Sequence, residues 1–336
     1  MNTPVIKTVI ILMMVIMVTL TPVASKLRGS AEANEQATYR LKWLFNASVV
    51  GDLYADAHQM FAARGLEVTI KEGGPERDAI RELEMGRAQF GVASADQVIR
   101  AMDKGATLWV IAQLFQINPL QWIYRPVKFR ITRLEDLKGK KLGVTFGGND
   151  ETILRTLLAR GGIAEDDVTL FSVRYDYTPF YKQRVNFWPV YRNTQAIILA
   201  DKLHQEGEKV AFFNPTEFGV RFVANSVITS PRMIKDHPQI VKKFTEALMQ
   251  GWTAAMDPAN HQKALKALQR FDKDTPLRIL DQQLRATRVL IQPTPDLQIG
   301  TIDVAAWKQT EKIMLDQKQI SSPVFVEKVL RPFGSY

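Results

Sequence analysis

Trp43 and Asn46 stand three residues apart at the end of an apolar run, where a chain leaving a sheet turns toward a cleft. An indole there can stack on a flat ligand ring or an apolar tail. A carboxamide three residues on offers both donor and acceptor and can fix a ligand's orientation. Both residues also fit plain structural work, the indole in a core and the amide as N-cap of a helix starting near Ser48. Ser94 opens another helix after a short buried run, and N–H groups at a helix start favour an anion or a polar head group. A simple cap is the alternative. Gly147-Gly148-Asn149-Asp150 repeats that placement further along: the glycines let backbone approach a ligand, and Asn149 or Asp150 caps the helix. No Gly-Lys-Ser/Thr follows, so this is not a nucleotide-phosphate loop, and Asp150 can equally neutralise the helix dipole and discourage an anion. Gln116 and Asn118 end one more apolar run and can face the same cleft. The stretches 175–181 and 187–191 are dense in aromatics, Tyr191 among them, and fit either a ring-walled cleft or a core.

Other chemistries lack their residues. The four histidines, His58, His204, His237 and His261, share no metal-ligand spacing. There is no cysteine, which excludes disulfides, thiolate metal sites, iron–sulfur clusters, a cysteine nucleophile and a lipoprotein anchor. No nucleophile elbow with a following Asp and His is visible, and the carboxylate pairs Glu82/Glu84 and Asp166/Asp167 read as solvated charges. No catalytic residue, metal or cofactor is expected.

The elements that must position these residues alternate. Strands are expected at 40–45, 66–70, 90–93 and 107–114, with helices at 48–64, 75–85 and 94–104, several of them closed by glycine. After Pro126 the pattern starts again, with strands at 141–144, 168–173, 185–190 and 210–213 and helices at 151–160, 177–183 and 193–206. Beyond Phe222 the character changes: 231–291 reads as nearly all helical, with one more helix at 305–318. That order predicts an α/β fold of two lobes. Residues 39–124 and 223–336 form the first and 125–222 the second, with crossings near 123–126 and 219–224 and a ligand cleft between the lobes. Residues 1–25, with an apolar run of 12, read as a secretory signal peptide, and 26–38 as a disordered spacer. An uncleaved N-terminal anchor is the alternative, and either way the body is exported to the periplasm.

The chain has 336 residues, 46% hydrophobic and 24% charged, which is globular composition. Its net charge of +9 comes from 44 basic and 35 acidic residues that interleave without a basic run of five. This predicts a mildly cationic surface and no nucleic-acid partner.

Several motifs resemble the NMT1/THI5-like (SsuA/THI5-type) periplasmic solute-binding proteins. They are Trp43, Asn46 and Gly51 with Gly65-Leu66, the stretch 86–92, Asp136 to Lys141, Val190 to Asn193, Pro215 to Phe222, and His237-Pro238 through Gly251-Trp252. The resemblance covers roughly residues 39–270 and singles out Tyr191 and Asn193 within its motif. It implies a type II periplasmic-binding-protein fold whose two lobes close on a hinge. It also implies a monomer that captures a small heteroaromatic ligand of the pyrimidine or thiamine-precursor kind for an ABC permease. A sulfonate or other organic anion, and a ligand-sensing role, are alternatives. The family's pyrimidine-synthesising branch carries a histidine where this chain has Val49, and a cysteine-rich segment. The acid after Tyr191 in the family's pattern is Thr194 here, and an aspartate is Asn186. The ligand residues expected are therefore Trp43, Asn46, Ser94, Gln116, Gly147, Gly148, Asn149, Tyr191 and Asn193.

Overall fold

A computed structural model describes residues 34–332; the expected signal peptide and residues 26–33 of the expected spacer lie outside the described residues. In chain order the elements are β1 (Glu35–Arg40), α1 (Val50–Ala57), β2 (Leu66–Lys71), α2 (Ala79–Glu84), β3 (Phe90–Ala93), α3 (Ala95–Asp103) and β4 (Trp109–Gln113). Next come β5 (Leu120–Tyr124), β6 (Lys141–Val144), α4 (Asn149–Arg160), β7 (Thr169–Ser172), α5 (Thr178–Tyr181), β8 (Trp188–Tyr191), α6 (Gln195–Gln205) and β9 (Ala211–Phe213). The chain continues with β10 (Ser226–Thr229), α7 (Pro231–Asp236), α8 (Pro238–Met256), α9 (His261–Gln269), α10 (Leu277–Ile291) and α11 (Val304–Asp316).

The first sheet has the order β2-β1-β3-β10-β4. β1 pairs parallel with β2 and β3, while β10 lies antiparallel between β3 and β4. The chain therefore leaves this sheet after β4, builds a second group of strands and returns through β10. The second group is a three-stranded sheet β8-β5-β9 beside the parallel pair β6-β7. The Gly143 N–H donates to the Phe187 carbonyl at 2.8 Å, and the Trp122 indole donates to the Gly143 carbonyl at 3.1 Å, which ties the two pieces together.

Four expectations change. The strand expected at 40–45 runs Glu35–Arg40, so residues 35–38 of the expected spacer are strand. Ala37 and Tyr39 turn inward on alternate positions while Glu35 and Gln36 stay exposed, so the alternation begins before the continuous apolar run does. β5 pairs with β8 and β9, so the first crossing falls before Leu120 and not after Tyr124. β10, in a stretch for which no element was expected, is an interior strand of the first sheet, between β3 and β4. The helix expected at 48–64 stops at Ala57, Gln59 taking a left-handed conformation (φ 55°).

Among the C-terminal helices, α8 packs on the first sheet. Phe244 of α8 stacks on Phe90 at 3.7 Å between ring centroids and meets Tyr39 edge-on at 5.1 Å. Trp252, about two turns further along α8, lies fully buried against α1. Gly51 makes that approach possible: a Cβ there would lie 2.0 Å from the Trp252 ring. The two crossings run side by side. Asn118 donates to the Phe222 carbonyl at 2.9 Å, and the backbone N–H groups of Leu114 and Phe115 both reach the Asn225 carbonyl.

Candidate functional site

A cavity of about 230 Å³ opens between the loops of the two sheet groups. The first group supplies the turn after β1 (Lys42 to Val49), the loop before α2 (Gly74 to Asp78) and Val92 of β3. The second supplies Thr145 to Asp150 at the start of α4, Val173 to Tyr177 and the β8 segment Trp188 to Tyr191.

Of the residues expected at the site, Trp43, Asn46, Gly147, Gly148, Asn149 and Tyr191 line this cavity. Trp43 is half-buried and faces Tyr175 from across the opening, ring centroids 5.1 Å apart and planes tilted by 41°. Asn46 lines the wall, yet its amide is used locally. Its Oδ1 accepts from Ser48 N–H at 2.8 Å and its Nδ2 donates to the Leu44 carbonyl at 3.1 Å, so it works as the N-cap. Gly147 holds a positive φ of 80°, which bends the loop into the start of α4, and Gly148 is that helix's N-cap residue.

Three expected residues lie outside the lining. Ser94 is fully buried and closes a cap with Gln97, its N–H and hydroxyl both meeting Gln97 Oε1 at 3.2 and 3.0 Å. Gln97 takes its place at the cavity wall. Gln116 is turned to the C-terminal segment and donates to the carbonyls of Gln113 and Thr301 at 3.1 and 2.9 Å. Asn193 is fully buried one layer behind, where its Nδ2 donates to Ser48 Oγ at 3.0 Å and Thr287 Oγ1 at 2.9 Å. It braces a wall residue, Ser48, and does not reach the cavity. The aromatic segment divides as well. Tyr177, Trp188 and Tyr191 wall the cavity, whereas Phe180 and Phe187 are core.

The residue that sequence reasoning passed over is Lys42. Its ammonium donates to Asn149 Oδ1 at 3.0 Å and to the Tyr191 hydroxyl at 3.1 Å, and so spans from one sheet group to the other. The only local signal was its position beside Trp43. Its partners lie more than a hundred residues away in sequence. Asp150 is buried close by, accepting from the Thr145 N–H at 2.6 Å. Burial pushes its carboxyl up to about 6, partly offset by that backbone N–H and by the Lys42 charge. At the mouth, Arg174 pairs with Glu76 across the opening. Tyr175 approaches Gly74 so closely that a Cβ there would lie 1.9 Å from the phenol oxygen. No group of three or more His, Cys, Asp or Glu able to hold a metal occurs among the described residues.

Two α/β sheet groups joined by paired crossings, with a cavity between them, define the type II periplasmic-binding-protein fold. The alkanesulfonate-binding protein SsuA from Xanthomonas axonopodis pv. citri, solved bound to MOPS, superposes with a TM-score of 0.68 at 18% identity, covering 89% of this chain and 99% of that one. The chain belongs to the NMT1/THI5-like family, which it matches over residues 46–261. The riboflavin-binding protein RibY of Chloroflexus aurantiacus is 23% identical over 330 residues, 94% of this chain and 91% of that protein. A formylaminopyrimidine-binding protein of Halalkalibacterium halodurans is 22% identical over 303 residues, 88% of this chain and 89% of its own length.

Proposed function

We propose that this protein is the exported solute-binding component of an ABC importer and that it captures a small planar heteroaromatic solute without altering it. The observation that carries the reading is a cavity walled by aromatic rings from both sheet groups, Trp43 on one side and Tyr177, Trp188 and Tyr191 on the other. Such walls suit a flat ring, whose two faces are then covered by π-surfaces. The relatives that bind riboflavin and a formylaminopyrimidine support the same class of solute. Residues 120–222 act as one lobe and the rest of the described chain as the other. The hinge lies at the paired crossings, where Asn118 and Asn225 keep the two strands of chain together. A membrane permease receives the closed form in the periplasm.

Titration calorimetry of the purified protein with riboflavin, a formylaminopyrimidine and thiamine precursors tests the reading. Micromolar or tighter binding of at least one is expected, with Trp43→Ala weakening it by roughly tenfold through loss of a stacked face. Absence of binding to every planar compound at millimolar concentration would sink the proposal. An organic anion is the competing reading, favoured by Lys42, Arg77 and Arg174 in the lining, and an alkanesulfonate belongs in the same titrations.

A further inference from the structure

The hydrogen-bonding capacity around Lys42 is one-sided. An ammonium carries donors only, so the Asn149 atom it meets must be the oxygen, and the carboxamide NH2 points elsewhere. That Nδ2 is buried and has no hydrogen-bond partner in the structure, although Asn149 is only 5% exposed and lines the cavity. The Tyr191 oxygen accepts from Lys42, and its hydroxyl donates to Asn225 Oδ1 only over a long 3.5 Å, a contact that a solute acceptor in the cavity can replace. Ser48 Oγ likewise accepts from Asn193, so its hydroxyl proton is also available at the wall. Two acceptors of the wall are already engaged. Asp150 takes the Thr145 N–H and Asn46 Oδ1 takes the Ser48 N–H. An unpaired buried donor is costly, so the arrangement is complete only when an acceptor faces it.

The charges limit what that acceptor can be. The cavity is lined by Lys42, Arg77 and Arg174 against Asp78 and Asp150, and Arg174 is already paired with Glu76. The walls are therefore close to electroneutral, and the cation nearest the free donors has a buried carboxylate beside it. A fully charged sulfonate or phosphate would meet no uncompensated positive field there.

Resting on the reading above, we propose that the solute is a neutral oxo-heterocycle. Its ring carbonyl faces a donor cluster formed by Lys42 Nζ, Asn149 Nδ2 and the Tyr191 hydroxyl. Pyrimidinediones and the flavin ring belong to this class. Pyrimidines that carry only amino substituents fit less well, because each ring nitrogen offers one lone pair where a ring carbonyl offers two, and the amino group brings further donors to a cluster of donors.

The test is a calorimetric panel of uracil, lumichrome, riboflavin, 2-methyl-4-aminopyrimidine and hexanesulfonate against the wild type, Lys42→Met and Asn149→Leu. Thermal melts confirm that both variants are folded. At least one oxo compound is expected to bind more tightly than the aminopyrimidine and the sulfonate. Each variant should weaken that compound by about 10- to 100-fold, the loss of a hydrogen bond to or from a charged or buried group. Tighter binding of the aminopyrimidine or the sulfonate overturns the inference. So does an oxo compound whose affinity changes less than threefold in both variants. In each of those cases a ligand is still captured, and with a planar one the importer reading stands. Failure of every planar compound to bind removes both.

Discussion

Two buried aspartates begin helices on opposite sides of the cleft, and their surroundings divide the molecule into a part that holds shape and a part that meets solute. Asp52 lies in the first turn of α1, behind the Lys42–Val49 wall, and Asp150 in the first turn of α4, in the wall itself. Asp52 Oδ1 receives the Tyr39 hydroxyl at 2.9 Å and the Trp252 indole N–H at 3.4 Å, while its Oδ2 has no hydrogen-bond partner. Its neighbours are neutral side chains of the core. Asp150 is held by backbone N–H groups and by the nearby Lys42 charge. Burial raises both, Asp52 to about 7 and Asp150 to about 6. The lesson is that burial dominates at both, opposed at Asp52 by the Tyr39 and Trp252 donors and its own backbone N–H, and at Asp150 by backbone N–H groups and the Lys42 charge.

The largest effect is expected at Asp52. Its folded value lies above the 3.8 of an exposed aspartate, so the folded state holds the proton more tightly than the unfolded chain. Stability from this group is then fully present below pH 4 and is lost as pH rises toward about 7. Asn at this position keeps one carbonyl oxygen for Tyr39 and Trp252 and carries no charge. Asp52→Asn should match the wild type near pH 4 and exceed it by up to about 4 kcal/mol at pH 8, from roughly 1.4 kcal/mol per pKa unit. Urea unfolding across that range measures the difference. Parallel pH profiles for the two proteins would show that Asp52 does not titrate as its surroundings imply.

Gly51 sharpens the same side of the comparison. A methyl group at this position meets the Trp252 ring at 2.0 Å, so Gly51→Ala must displace the indole that also bonds Asp52. Overpacking costs about 1–3 kcal/mol, and the better helix propensity of alanine returns up to about 1. A net loss of about 1–2 kcal/mol is expected, read as a lower midpoint in urea with unchanged slope. An unchanged midpoint would mean that α1 and α8 separate freely.

How much of this was legible differs between the same two regions. Short buried runs bounded by turn residues were readable: β3 at Phe90–Ala93 and β6 at Lys141–Val144 stand where alternation and flanking polar residues put them. β5 and β10 were not, because four or five apolar residues say nothing about which sheet completes them. β10 is a strand only through its antiparallel pairing with β3 and β4, more than a hundred residues earlier. Along the cavity wall, Trp43, Gly147, Gly148 and Asn149 were legible as residues at element ends, the local places where chains turn into clefts, and Tyr191 through the motif that carries the family resemblance. Ser94 carried the same local signal and Asn193 the same motif, but their side chains are consumed by Gln97 and by Ser48 with Thr287. Lys42 showed the reverse. Its importance lies in Asn149 and Tyr191, and no spacing rule relates residues that meet only when two sheets close on one another.

The smallest effect on stability, and the most telling for the solute, is expected at Asp150. Replacing it with Asn removes a carboxyl raised by about 2 pKa units, a gain of roughly 3 kcal/mol at pH 7. It also turns one carboxylate oxygen, which faces backbone N–H groups, into a donor, and losing that acceptor costs about 1–3 kcal/mol. The two nearly cancel, so Asp150→Asn should unfold within about 1 kcal/mol of the wild type at pH 7, in contrast to Asp52→Asn. What changes is the field around Lys42, which loses its carboxylate neighbour. One unit charge a few ångströms away in water-like surroundings is worth about 1 kcal/mol, so hexanesulfonate should gain about three- to tenfold in affinity relative to a neutral heterocycle at low salt. The gain should fade as salt screens it. If the ratio of the two affinities stays fixed, the Lys42–Asp150 balance does not govern which solutes the cleft accepts. The two aspartates would then differ only in how they hold their helices.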